Sequence, residues 1–264
     1  MESSLDFHTA KALLDWQVEL GATEAILDAP VNRYEVPEKQ VKPAEQQTQT
    51  AAPAAAPKVD PVAVATQMAK QVDDLGQLKA AIAQFEHCAL KRGARNLVFG
   101  EGNPNARIMI IGDAPGRDED RVGKPFVGRA GQLLDKMLAA IDLDRDMDRA
   151  SETNHEAVYV AHILPWRPPQ NRDPQAADIA MIMPFVRRHV ELIAPDIIIL
   201  MGNSACQGVL GKRGITRMRG TWTEALGRPV LPMLDPDALL RNQQLKRDAW
   251  ADLLALKAKL MSLD

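Results

Sequence analysis

From residue 67 onward, short apolar runs alternate with longer segments whose apolar positions recur every three or four residues. The runs ARIMIIGDAPG (106–116), AVYVAHIL (157–164), PDIIILMG (195–202) and RPVLPML (228–234) have the length and apolar content of buried strands. The segments QMAKQVDDLGQLKAAIAQF (67–85), GQLLDKMLAAI (131–141), ADIAMIMPFVRRHVELIA (177–194), NSACQGVLG (203–211) and QLKRDAWADLLALKAKLMSL (244–263) have helical spacing. Strand and helix alternate over short connections, which predicts an α/β domain with a parallel-dominated sheet covered on both faces. In such sheets the functional loops gather at the carboxyl ends of the strands.

Ahead of this domain the pattern changes twice. Residues 5–26, LDFHTAKALLDWQVELGATEAI, place Leu5, Leu13, Leu14, Trp16, Val18 and Leu20 among polar residues in the manner of one short helix. Its apolar stripe suits either packing on the main domain or docking on a protein partner. Residues 37–66 are rich in Pro, Ala and Gln, with too few large apolar side chains to bury, and read as a flexible linker. The expected organisation is a helical segment at 1–36, a linker at 37–66 and a domain at 67–264.

A chain of 264 residues that is 46% hydrophobic and 25% charged excludes collagen-like, disulfide-scaffold and fully disordered classes. No stretch approaches about 18 consecutive apolar residues, so no membrane partner is expected. The start MESSLDFHTA lacks the basic and apolar regions of a signal peptide, and the expected address is the cytoplasm. Of the 32 basic and 35 acidic residues, 5 and 10 fall in residues 1–66, which leaves the rest with 27 against 25. The acid sits in the tail, and the domain has no global field that would repel phosphates.

Four segments fall where strands end: GDAPGRDEDRVGKPFVGRAG (112–131), LPWRPPQNRDP (164–174), KRGITRMRG (212–220) and LDPDALLRN (234–242). The glycines of the first let backbone amides approach a ligand closely, although ordinary turn glycines before a helix would look the same. Lys212, Arg213, Arg217 and Arg219 crowd one short loop, suited to a phosphate backbone or simply to solvent. Arg167 and Arg172 sit on a stiff Pro-Pro turn, and the two loops together form a candidate basic face.

These blocks carry a resemblance. NLVFGEGNPNARIMIIGDAPGRDEDRVGKPFVGRAGQLLDKML, then RPPQNRDP, PDIIILMG, RG-W and DPDALLR, in that order over roughly residues 75–260, resemble the family 4 uracil-DNA glycosylases. The resemblance implies a three-layer α/β/α sandwich around a four-stranded, parallel-dominated sheet. It also implies hydrolysis of the N-glycosidic bond of deoxyuridine in DNA, in base-excision repair, after the nucleotide is flipped from the duplex. DNA is the implied partner, with Arg129, Arg167, Arg172, Lys212, Arg213, Arg217, Arg219 and Arg241 as the expected DNA-facing cations. Such a pocket needs an aromatic face, a group that reads the pyrimidine edge, a donor near O2 of the departing base and a group that positions water.

Position by position, Phe126 matches the stacking aromatic, and Gly112, Ala114, Pro115 and Gly116 match the first motif. Three polar positions depart from the family. Asp113 stands at the glutamate of the first motif, one methylene shorter, where a shift near 1 Å weakens catalysis about a hundredfold. His162 stands at the uracil-reading asparagine, with one donor and one acceptor but not an amide's geometry. Asp235 replaces the histidine that donates to O2, and an ionised carboxylate there would oppose the developing anion.

The resemblance further implies a [4Fe–4S] cluster on four cysteines, yet the chain has two cysteines in all, Cys88 and Cys206. Cys88 alone matches a ligand position; the others hold Phe85, Trp166 and a residue near Ile182. One thiol cannot hold the cluster, so no cofactor and no metal are expected, with apolar packing in the cluster's place. Cys206 reads as buried filler, His189 as a surface residue, and His87 and His155 as structural or solvent-facing. Three functions follow: a cluster-free glycosylase with weakened or altered activity, a DNA-binding or damage-sensing protein that lost hydrolysis, and an adaptor whose N-terminal helix recruits a partner. The retained Phe126 and Gly-Arg-Ala-Gly block place the first ahead.

Overall fold

The computed structural model describes residues 6–21, 60–153 and 155–263. The chain divides into two compact units, with the boundary at Ala55 and Ala56. In the first, helix α1 (Phe7–Glu19) is capped by Asp6, whose carboxylate accepts from the amides of His8 at 2.9 Å and Thr9 at 3.1 Å. Residues 22–36 of the expected helical segment and 37–59 of the expected linker lie outside the described residues.

The second unit begins earlier than its apolar pattern indicated. Helix α2 (Pro61–Lys70) opens inside the expected linker, with Asp60 as N-cap and Pro61 in the first turn. The single helix expected over 67–85 is two, because Asp74 caps a separate α3 (Leu75–Gln84) by accepting from the Gln77 amide at 2.8 Å. Strand β1 (Gly100–Gly102) and strand β2 (Ile108–Gly112) follow, then α4 (Arg117–Val122) and α5 (Gly128–Ala139). A small parallel pair, β3 (Leu143–Asp144) with β4 (Glu156–Ala157), brackets α6 (Met147–Thr153). Next come β5 (Tyr159–His162), α7 (Ala176–Ile193), β6 (Ile197–Met201), α8 (Asn203–Leu210) and α9 (Ile215–Met218). The chain continues through β7 (Thr223–Ala225), β8 (Arg228–Met233), α10 (Pro236–Arg241) and α11 (Lys246–Met261).

The main sheet has six strands, in the order β1-β5-β2-β6-β8-β7, where four were expected. The four expected strands are its parallel centre, and two short antiparallel strands, β1 and β7, flank them. Every residue of β2 and β6 is buried, as a strand covered by helices on both faces must be. Helix α7 carries α2, α3 and α8 against it, while α5 packs with α10, and α11 with β8. His189, expected at the surface, is buried on the core face of α7: its Nε2 lies 2.9 Å from the Tyr159 hydroxyl and its ring stacks on Phe99.

Chain order and sheet order together locate a crevice. After β2 the chain adds β5 on one side and then β6 on the other, so the helices that leave β2 and β6 diverge at their carboxyl ends. Beside that crevice Phe126 is held with a positive φ of 49°, a conformation that costs a non-glycine residue energy and persists only when its surroundings enforce it. They do: Arg145 donates to the Pro125 carbonyl at 2.9 Å while paired with Asp135, and Gly131 of α5 lies directly beneath the Phe126 carbonyl. A Cβ on Gly131 would stand 1.6 Å from that oxygen. Gly131→Ala should therefore cost about 3 kcal/mol of stability in urea denaturation, by the overpacking it forces; an unchanged midpoint would show that the Phe126 loop is not clamped by α5.

Candidate active site

The strand register assembles the site. Gly112 at the end of β2 pairs with His162 at the end of β5 and with Met201 at the end of β6, and Met201 pairs with Met233 at the end of β8. The next residues along these strands, Asp113, Gly202 and, two beyond Met233, Asp235, therefore share one rim. Phe126 reaches the same place from the loop between α4 and α5.

Two glycines make this crowding possible. A Cβ on Gly112 would stand 2.5 Å from Cζ of Phe126 and 2.8 Å from Nδ1 of His162, so its absence lets both rings settle on the strand end. The rings touch, with centroids 4.7 Å apart and a 31° tilt, and Phe126 is only 3% exposed. Gly202 has φ of 111°, and a Cβ there would lie 2.4 Å from the Asp113 carboxyl carbon. Sequence reasoning missed Gly202, although a glycine between an apolar strand and a helix is a recognisable signal.

The space above Gly202 is filled by the Asp113 carboxylate, which accepts from the Ala205 amide at 2.8 Å at the N-terminus of α8. Burial pushes its pKa up to about 6, against the opposing pull of the Ala205, Ser204 and Asn203 amides and of Arg213. Asp235 caps α10 by accepting from the Asp237 amide at 2.7 Å. Burial, together with the negative charge of Asp113, raises Asp235 to about 7. Most of the segment 234–242, placed by the sequence at a strand end, is thus helix α10, whose Asp-Pro start is a standard N-terminal signal.

This changes the electrostatics expected of Asp235. With its pKa raised to about 7, Asp235 holds a proton to far higher pH than an ordinary aspartate, and a protonated carboxyl donates a hydrogen bond rather than repelling an anion. His162 is neutral, because burial lowers its pKa to about 3. Both of its ring nitrogens are buried without a hydrogen-bond partner. Ala114 and Gly116 are half-buried and Pro115 is buried; Gly116 caps α4 and its amide donates to Glu119 at 3.0 Å, which fixes the turn that carries Asp113.

The expected basic face divides. Arg129, Lys212, Arg217 and Arg241 are exposed and form no ion pair among the described residues. Arg167 bonds Asn171 at 2.7 Å, Arg172 pairs with buried Asp178 at 3.0 Å and Arg213 with Asp173 at 3.2 Å. Arg219 is committed to Asp252 of α11: its Nε donates to Oδ2 at 2.9 Å and a second bond joins its NH2 group to Oδ1. Asp252 is 2% exposed, so Arg219 is a structural tie rather than a free cation.

At the positions where a cluster was implied, Phe85, Trp166 and Ile182 are buried in the apolar core together with Cys88, and Phe85 meets Phe185 edge-on at 5.4 Å. Cys88 and Cys206 are both buried, as filler would be, and burial raises both thiols, Cys206 to about 12. Among the described residues no group of three or more His, Cys, Asp and Glu side chains is placed to hold a metal ion. These residues do not fit an iron–sulfur cluster. No described helix is long and apolar enough to cross a membrane.

A neutral imidazole, an aromatic ring and two half-buried carboxyls thus gather at the switch point of a parallel sheet, the place where sheets of this kind hold their ligands. Comparison with known proteins gives the family. Residues 99–254 match the uracil DNA glycosylase superfamily. The type-4 uracil-DNA glycosylase of Thermotoga maritima is 37% identical over 176 residues, 65% of this chain and 86% of that protein. Those of Archaeoglobus fulgidus and Sulfurisphaera tokodaii are 35% and 34% identical, over 69% and 67% of this chain and 90% and 80% of theirs. The chain belongs to the uracil-DNA glycosylase superfamily and, with these relatives, to its type-4 family.

Removing Arg219 leaves a carboxyl buried without its cation, whereas removing Arg217 leaves nothing unpaired. Arg219→Ala should lose roughly 3 kcal/mol in chemical denaturation, and Arg217→Ala should stay within about 0.5 kcal/mol of the parent. Equal stability of the two variants would show that the Arg219 to Asp252 pair does not tie α11 to the segment between α9 and β7.

Proposed function

We propose that the protein is a DNA repair glycosylase that hydrolyses the N-glycosidic bond of deoxyuridine in DNA. The observation that carries this reading is the convergence of Asp113, Phe126, His162 and Asp235 on one rim of the sheet in a member of this superfamily. In this reading the flipped uracil stacks on Phe126 and meets His162 at its pyrimidine edge. Ionised Asp113, anchored on α8, positions water and stabilises the positive charge that develops on the sugar. Protonated Asp235 donates to O2 as the bond to the base breaks. Exposed Arg129, Lys212, Arg217 and Arg241 engage phosphates, while Arg167, Arg172 and Arg213 would have to exchange their present partners. The protein works without the iron–sulfur cluster of its type, its place taken by the packing of Phe85, Trp166 and Ile182.

A second reading, DNA binding or damage sensing without hydrolysis, draws on the sealed nitrogens of His162 and on its contact with the face of Phe126. An alkali-cleavage assay on an oligonucleotide carrying one uracil separates the two. Cleavage that Phe126→Ala abolishes supports hydrolysis; a retained gel shift with no cleavage at enzyme excess supports sensing.

The carboxyl pair gives hydrolysis a distinctive pH dependence. The active form has Asp113 ionised and Asp235 protonated, so activity appears as pH rises through about 6 and is lost as it rises through about 7. The expected kcat/KM profile is a narrow bell centred between those values. Asp235→Asn, which keeps a donor and cannot ionise, should lose the alkaline limb and keep the acidic one; an alkaline limb unchanged in this variant would remove Asp235 from the mechanism. Iron analysis of the purified protein should find no stoichiometric iron, and a brown, iron-loaded preparation would contradict the packing argument.

A further inference from the structure

His162 differs from an amide in a way that bears on which bases the site accepts. An asparagine presents its carbonyl and its NH2 group as two fixed and chemically distinct atoms, so it fits an edge with the complementary order and rejects the reverse. A neutral imidazole presents its nitrogens in either tautomer, and the tautomer is normally fixed by a protein partner on the other nitrogen. Here neither Nδ1 nor Nε2 has such a partner, and both are buried. Gly112 lies against Nδ1 without a side chain, and the Phe126 ring that touches the imidazole offers only a π system. Among the described residues no hydrogen-bond partner selects one tautomer over the other.

We propose that His162 reads the base edge in either hydrogen-bonding sense, so that this site admits cytosine-type as well as uracil-type pyrimidines. Uracil presents an acceptor at O4 beside a donor at N3, and cytosine presents a donor at N4 beside an acceptor at N3. The imidazole turns off Phe126 as the base arrives, which frees two unpaired nitrogens, and then meets either edge with the nitrogen that suits it. Phe126 supplies stacking, which tolerates either pyrimidine. Selectivity between the two edges, which a fixed amide would impose, is therefore weak in this protein.

This inference rests on the reading of the rim as a base pocket, and its test separates the two. Single-stranded oligonucleotides carrying one 2′-fluoro-2′-deoxyuridine or one 2′-fluoro-2′-deoxycytidine resist hydrolysis and carry no base-pairing cost. Their affinities are measured for the parent protein and for His162→Asn. The parent should bind the two within about tenfold, and the variant should favour the uracil strand by about a hundredfold or more, as a site built with fixed polar partners does. A uracil preference that does not rise in His162→Asn overturns the inference. Excision of an ordinary uracil strand is followed in parallel: its absence, with the affinity ratios as expected, counts against hydrolysis and leaves the edge reading standing.

Discussion

Two carboxyls share one poorly solvated end of a parallel sheet, and the rest of the site follows from how they are kept there. Asp113 is shifted by burial to about 6, and Asp235 by burial and by Asp113 to about 7. Like charges in a desolvated place resist simultaneous ionisation, so the pair favours a state with one proton between two groups. The amides at the start of α8 select the holder of the charge, since they face Asp113 and stabilise its anion. Asp235, which has a single amide from its own helix cap and lies next to that anion, keeps the proton.

The backbone supplies the room for this arrangement. Gly202 is the one residue of the β6 to α8 turn that must lack a side chain, because the Asp113 carboxyl occupies the position of its Cβ. Gly112 plays the same part for Phe126 and His162. Further out, Gly131, Arg145 and Asp135 hold the Phe126 loop in a conformation that a free loop would leave. Asp113, His162 and Asp235, the three positions that depart from the family pattern, thus have charge states set by burial as well as by residue type: His162 is held neutral, Asp113 is anchored on the α8 amides and Asp235 is raised by burial and by Asp113.

The strands were legible because β2, β5, β6 and β8 are nearly pure apolar runs, whereas β1 and β7 are three-residue edges that leave no pattern. The starts of α2 and α10 were missed although both carry Asp-Pro, at Asp60 and at Asp235; an Ala-rich context hid the first and motif matching hid the second. The position of His189 was also written in the spacing, since Ile182, Phe185, Val186 and Ile193 fall on the same face of α7. Resemblance, and not periodicity, marked Phe126, His162 and Asp235. The pairing of Arg219 with Asp252, 33 residues away, and the protonation of Asp235 depend on tertiary contacts that no local pattern encodes.

The most direct measurement is a carboxyl-detected NMR titration of the free protein with 13C-labelled aspartate, assigned with Asp113→Asn and Asp235→Asn. The account requires two coupled titrations, near 6 and near 7, with the Asp235 titration moving down when Asp113 is replaced. Two independent titrations in the ordinary aspartate range near 4 would contradict it.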